Sequence, residues 1–477
     1  MTKSIKKKYL ITTAIDYTND VIHIGQAYEK ILADATARFL RLKHGDKNVF
    51  FLTGTDEHGT TNEKAAKARN LSPLEHVTDI SKKDQEQADA LQISYNRFFR
   101  TTDEDHKKTA ADFFDKAFKA GDIYKHKYQG LYCEGCEAYK TLSELNDQGQ
   151  CLLHPTREIQ KVDEENYFFK WAKYSNYLKT LVSSAGFVLP EGKQKEMLAF
   201  IENGIQDIPV TRPKYKLSWG ITPKNDAEHV IYVWFDALIN YFTVGSQLGF
   251  WDEDTSIVHF VGKDVARWHT LLWPAMLQSA GYRSPDQVYV HGFINLDGQK
   301  ISKSRGNVIR PTDLVTKYGV DAVRYYFLKH GPIVEDVNIS MSHLEEVYNA
   351  DLANGLGNTV ARLAKLAEKS GLDFETAPIP DNIWESDIFK PFEEYRVDVV
   401  LQNIWGLLSE LDKHINENEP WKITDRKKLH QVLTEEINKL RIVAVLLEPF
   451  IPQTAKLIQE QFASPKIKAV SGLFPRI

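Results

Sequence analysis

The chain has 477 residues, room for about three domains of ~150 residues each. Apolar residues make up 42% and charged residues 26%, and no run approaches the ~18 uninterrupted apolar residues of a membrane span, which excludes a transmembrane protein. The net charge of −5 gives no electrostatic case for nucleic-acid binding, and only three cysteines exclude a secreted disulfide scaffold and point to a reducing compartment.

A basic stretch precedes the apolar run Tyr9 to Ile15. Asp16 cuts that run short and no small-residue cleavage site follows, so the expectation is a basic tail before a buried strand in a cytoplasmic protein. Tyr9 to Ala14 predicts a strand, Ile24 to Leu42 a helix, and Asn48 to Thr53 a second strand ending in Gly-Thr-Asp-Glu-His-Gly. Strand, helix and strand at this spacing predict a parallel sheet, whose ligands sit beyond the carboxyl ends of the strands. From about Tyr124 to Ile208 the pattern is irregular, rich in Gly, Asn and charge, and holds all three cysteines. Strand-like signal returns in the run of eight residues from His229 to Asp236, at Ile257 to Val261 and at Gln287 to His291. The expectation is an α/β domain interrupted by an insert of about 110 residues.

After Glu346 the pattern turns helical. Leu352, Leu356, Val360, Leu363 and Leu366 form one apolar stripe; Val397, Val400, Ile404, Leu407, Leu411 and Ile415 form a second; Leu429, Leu433, Ile437, Leu440, Ala444 and Leu447 form a third. Breaks at Pro420, Pro449 and Pro452 make these the helices of a bundle. The region carries 16 Lys+Arg against 20 Asp+Glu, so it is not basic.

The cysteines form a pattern. Cys133-Glu-Gly-Cys136 and Cys151-Leu-Leu-His154 are two ligand pairs, each with the two-residue spacing that lets a turn present both side chains to one ion. Three thiolates and an imidazole complete a closed tetrahedral shell, so the expected zinc is structural and one per chain. Two further segments suit phosphate. His23-Ile-Gly25-Gln26 opens the first helix, whose free N–H groups and dipole favour anions. Lys300-Ile-Ser302-Lys303 sets two lysines three apart in a Ser/Gly-rich loop, suited to charge developing on a transferring phosphoryl group.

Together these segments resemble the two signature motifs of class I aminoacyl-tRNA synthetases, in order, strand context and separation by an insert. Ala14-Ile15-Asp16-Tyr17, Gly54-Thr-Asp56-Glu-His58-Gly59, Trp234-Phe-Asp-Ala237-Leu-Ile-Asn-Tyr241, His259-Phe-Val-Gly-Lys-Asp264, Glu165-Asn-Tyr-Phe-Phe169 and Asp351-Leu-Ala-Asn-Gly-Leu-Gly-Asn358 resemble the methionine-specific family, over nearly the whole chain.

The resemblance implies a methionine–tRNA ligase that uses ATP with Mg2+ and charges tRNA(Met). His23, Lys300 and Lys303 would be catalytic. His23, Gly25, Gln26, Gly262, Asp264, Lys300, Ser302 and Lys303 would bind ATP. Ala14, Ile15, Tyr17, Asp56, Trp234, Ala237, Leu238, Tyr241 and His269 would hold methionine, and Asn358, Arg362 and Trp421 would meet the anticodon. The implied architecture is a Rossmann-like parallel-sheet domain split by a zinc-binding insert, with a C-terminal helical bundle. Its divisions are 1–118 and 227–300 for the catalytic domain, 119–226 for the insert, 301–345 for the Lys-Ser loop and linking segment, and 346–477 for the anticodon-binding helices.

About fifteen residues follow the last helix near Phe462, too few for an appended oligomerisation domain, so a monomer is expected. Three positions depart from the family pattern. Gln26 stands where the motif has His, and it donates a hydrogen bond without ever carrying charge. Asp16 replaces the usual Tyr or Pro, and Ile301 replaces Met. Two other readings remain: another class I synthetase, such as the cysteine enzyme, or a tRNA-binding paralogue without catalysis, suggested by Gln26.

Overall fold

In the computed structural model, residues 7–133, 138–140, 142–152, 158–301, 306–463, 465–470 and 472–477 are described. Internal contacts divide the chain into two units. The first comprises Met1–Ile22, Phe50–Gln87 and Tyr95–Val290; the second comprises His23–Val49, Ala88–Ser94 and His291–Ile477.

The apolar run at the start of the chain forms β1 (Lys8–Thr13), followed by β2 (Asp16–Tyr17), β3 (Val49–Asp56) and β4 (Arg97–Arg100). The predicted insert contributes β5 (Ile123–Cys133), β6 (Ala138–Lys140), β7 (Ile159–Phe169), β8 (Val188–Leu189), β9 (Ile208–Pro209) and β10 (Thr211–Pro213). Then come β11 (His229–Ile231), β12 (Thr255–Gly262) and β13 (Gln287–His291). The main sheet has seven strands in the order β2-β3-β1-β12-β13-β8, with β4 also on β3. The β1–β12, β2–β3, β3–β4 and β13–β8 pairs are all parallel. Buried Leu10, Ile11, Thr12 and Thr13 in β1 match a strand covered on both faces. Gly54 permits β4 to approach β3, since a Cβ there would lie 2.1 Å from the carbonyl oxygen of Phe99.

Two features of this unit differ from expectation. The Cys-bearing range is less irregular than its composition suggests: β5 and β7 form a long antiparallel pair from Ile123↔Phe169 to Cys133↔Ile159, within a sheet of order β6-β5-β7-β9. Further along the same range, β8 returns to the main sheet beside β13. The expected strand over His229 to Asp236 ends at Ile231, and Val233–Ala237 is a helical turn. A short apolar run has no period that separates strand from buried helix, and here the fold decides.

In the second unit, β14 (Ile294–Leu296), β15 (Gln299–Lys300) and β16 (Val337–Ile339) form a small sheet of order β15-β14-β16. Helix Ile24–His44 packs with helix Val320–His330 through the buried Arg324–Asp34 ion pair, 2.7 Å. The guanidinium of Arg324 also donates to the carbonyls of Phe450, Leu91 and Pro449. Helices Asn358–Ser370, Val397–Asn418 and Arg426–Leu446 follow the three expected stripes. Two stripes shift by one residue: Leu408 is buried while Leu407 is not, and Ala367 is buried while Leu366 is not. Tyr348–Gly357 winds as a π-helix, a turn with one extra residue that the 3.6-residue period does not reveal.

Candidate active site

The predicted methionine residues lie in the first unit, at the carboxyl ends of β1, β3 and β12 and on the helical turns after β11. The chain leaves β1 at Ala14, whose N–H donates to Phe260 O (3.1 Å), and Tyr17 then registers against Asp56 across β2–β3. Asp56 is buried, and its carbonyl accepts from Thr18 N–H at 3.1 Å. The neighbouring Glu57 carboxylate is held by Arg100 Nε (2.7 Å), Thr55 Oγ1 (3.1 Å) and Thr102 Oγ1, which fixes the loop that carries Asp56. Trp219 Nε1 donates to Glu57 O at 2.7 Å from the other side.

Opposite polar Asp56 in character stands an aromatic group. Trp234 stacks on Trp268 at 5.1 Å and 18°, and Trp268 stacks on Trp171 at 6.2 Å and 19°. Arg267 caps the Trp268 face at 4.5 Å and reaches Glu144 at 2.9 Å. Trp268–Leu272 is a second π-turn and carries His269. His269 Nδ1 donates to Val265 O (3.0 Å), so Nε2 accepts the Tyr241 hydroxyl (2.8 Å). Burial lowers His269 to about 4, which keeps it neutral at pH 7. Tyr241 also lies 3.2 Å from Thr13 O, so Tyr241, His269 and the end of β1 form one connected group. Ala237 and Leu238 are buried one turn after Trp234.

Sequence reasoning assigned no role to His259, which the structure places in the same group. Its ring packs 4.4 Å from Tyr241, and its Nδ1 pairs with Thr12 Oγ1 at 2.7 Å. Burial, then the nearby His269, pushes its pKa well below the usual value. Its Nε2 has no hydrogen-bond partner among the described residues. Gly262 ends β12, and Asp264 is exposed on the turn just after it.

The second unit holds the phosphate motifs. His23 caps helix Ile24–His44: its Nδ1 accepts from Gly25 N–H (3.1 Å), and Gln26 Oε1 accepts from His23 N–H (3.0 Å). The proton of neutral His23 is therefore on Nε2, and the acceptor end of Gln26 is used locally, leaving its amide N–H groups as donors. A Cβ on Gly25 would come within 2.9 Å of the His23 ring, so the fold of that ring over the helix start requires glycine. Ile24 N–H donates to Ile309 O (3.1 Å), which draws the segment following the Lys-Ser loop to this helix terminus. Lys300 ends β15 in a hairpin turned by Asp297 and Gly298, both at positive φ. Ser302 and Lys303 lie outside the described residues.

Among the anticodon candidates, the Arg362 guanidinium lies 4.9 Å over the ring of half-exposed Trp421. It is held there by Asn416 Oδ1 (2.6 Å) and Asp412 Oδ1 (3.3 Å), neither of which the sequence flagged. Asn358 is exposed one turn before Arg362.

Cys133 and Cys151 are buried and free of disulfides. Cys133 registers against Ala138 in the β5–β6 pair, and Cys151 forms an isolated antiparallel bridge with Leu145. Cys136 and His154 lie outside the described residues, and among the described residues no three metal-ligating side chains gather.

A parallel sheet with buried polar and aromatic side chains at its strand ends, and a capped helix terminus in the second unit, fit an ATP-using α/β enzyme of the class I synthetase type. Comparison with known proteins narrows this. Residues 9–364 match the family model described as tRNA synthetases class I (M). A methionine–tRNA ligase from Caldanaerobacter subterraneus subsp. tengcongensis is 39% identical, over 96% of this chain and 74% of that protein. One from Synechocystis sp. is 37% identical, over 95% and 89% respectively. The structure of Mycobacterium tuberculosis methionyl-tRNA synthetase in complex with methionyl-adenylate superposes with a TM-score of 0.89 at 32% identity, covering 98% of this chain and all of that one. The chain belongs to the methionine-specific family of class I tRNA synthetases.

Proposed function

We propose that this chain activates methionine with ATP and transfers it to tRNA(Met). A methionine carboxylate oxygen attacks the α-phosphorus, the bond to the bridging oxygen breaks and pyrophosphate leaves. A ribose hydroxyl at the tRNA 3′ end then attacks the adenylate carbonyl and AMP leaves. The observation that carries the methionine assignment is the group Tyr241–His269–Trp234–Trp268, an aromatic, neutral surface suited to a thioether.

Ala14, Ile15, Tyr17, Trp234, Ala237, Leu238, Tyr241 and His269 hold the side chain, and Asp56 pairs with the α-ammonium group. Gly262 and Asp264 take the ribose. In the second unit, His23 offers its Nε2–H and Gln26 its amide to phosphate oxygens beside Gly25. Lys300, Ser302 and Lys303 stabilise charge on the leaving phosphates, and Mg2+ accompanies the ATP. Asn358, Arg362 and Trp421 read the anticodon, the indole supplying a stacking plane. Cys133, Cys136, Cys151 and His154 hold one structural zinc.

The division at 1–118, 119–226, 227–300, 301–345 and 346–477, a monomeric state and a cytoplasmic location complete the proposal. Among the described residues no helix is long and apolar enough to cross a membrane.

ATP–pyrophosphate exchange measured with each of the twenty amino acids tests the reading. Methionine alone should support exchange. A preference for cysteine, or tRNA binding with no exchange at all, overturns it.

A further inference from the structure

The pocket loop and the pocket helix in the first unit meet at a buried carboxylate. Asp236, fully buried between Trp234 and Ala237, has one oxygen 2.6 Å from His58 Nδ1 and the other 2.6 Å from His106 Nε2. His58 stands two residues after Asp56, on the loop that leaves β3. His106 belongs to helix Glu104–Lys119, outside the segments that carry the sequence resemblance. Its Nδ1 lies 3.1 Å from Thr243 Oγ1, on helix Asn240–Leu248, which also carries Tyr241. Its ring is wedged edge-on against Phe99 at 5.1 Å and 89°. Burial would raise Asp236, yet the two imidazoles outweigh it and hold the carboxyl at about 2. Ionised Asp236 only accepts, so the facing nitrogens of both rings carry protons.

We propose that His106–Asp236–His58 is a positioning network for methionine: it fixes the helix of Trp234 and Ala237 against the loop of Asp56, so the apolar wall and the ammonium-binding carboxylate keep a set separation. None of the three residues needs to touch substrate. Their placement links three of the pocket's carriers: the Asp56 loop through His58, the Trp234 helix through Asp236 itself, and the Tyr241 helix through His106 and Thr243. This rests on the assignment of Trp234 and Asp56 to the methionine site.

The test measures exchange kinetics per active site, normalised by titration of adenylate formed in a single turnover, so misfolded protein does not count. His106→Phe fills the ring volume and donates nothing; His106→Gln places an amide N–H where Nε2–H stood. His106→Phe and Asp236→Asn should raise KM for methionine about tenfold or more with KM for ATP within about twofold, and His106→Gln should restore most of the loss. Equal rises in both KM values, an unchanged KM for methionine, or a His106→Gln variant as impaired as His106→Phe overturns the network. Trp234→Ala separates the two readings. If it leaves KM for methionine unchanged, the site assignment itself fails; if it raises that KM while His106→Phe does not, only the network fails.

Discussion

His269 is defined by its two hydrogen bonds. Its Nδ1–H donates to Val265 O and its Nε2 accepts from the Tyr241 hydroxyl, which orients the neutral ring. The unfolded histidine protonates near its ordinary 6.5, whereas the folded one does so only near 4. Between those values the unfolded chain binds more protons, so this residue's contribution to stability is present above pH 6.5 and is lost as pH falls toward 4. Urea unfolding at pH 7 and pH 4.5 should show wild-type losing more stability than His269→Gln; parallel losses would sink the account. Tyr241→Phe removes the donor to a buried acceptor and should destabilise by about 1–3 kcal/mol in the same assay at pH 7. Much of this group was legible in the sequence, because Tyr241 and His269 sit in or near motifs. His106, Thr243 and Asn416 were not, since each reaches its partner across the fold and no local pattern marks them.

At the scale of elements, periodicity located β1, the first helix, β3 and β12 to within a few residues, because long amphipathic or uniformly buried runs have one consistent reading. It failed where the fold overrides period. Trp234 to Asp236 has strand-like composition, yet its helical turn is what aims Asp236 between two histidines. Glu436 shows a related limit. It lies on the polar side of no obvious motif, yet it is fully buried on helix Arg426–Leu446, 3.3 Å from His414 Nδ1. Burial raises it to about 7. Here the folded state binds the extra proton between about 4.5 and 7, so the contribution is fully present below the unfolded value and is lost as pH rises through 7. Between pH 6 and pH 8.5 wild-type should therefore lose urea stability relative to Glu436→Gln; a difference between the two that stays constant or moves the other way refutes the burial argument. In β3, Gly54→Ala would drive a Cβ into the Phe99 backbone, and loss of soluble protein, or destabilisation by about 3 kcal/mol or more, is expected.

The molecule as a whole carries a net charge of −5, and its helical region from Glu346 holds 16 basic against 20 acidic residues. A protein that binds tRNA with such a balance gains little from a general field, and counterion release is limited to the few phosphates it neutralises. The proposal puts that affinity in specific contacts such as the Trp421 face with Arg362 seated over it. These two side chains make separable predictions. Stacking of a base on an indole adds about 1–3 kcal/mol and releases no counterions, so Trp421→Ala should weaken binding of a tRNA(Met) transcript about tenfold at every salt concentration, leaving the slope of log K against log salt unchanged. Arg362→Ala removes a cation that Asp412 partly offsets, so the slope should become shallower by up to about one while affinity also falls. If Trp421→Ala changes the slope as Arg362→Ala does, the tryptophan acts by placing phosphate contacts and not by stacking. If neither variant changes affinity, this face of the helical region does not meet the tRNA.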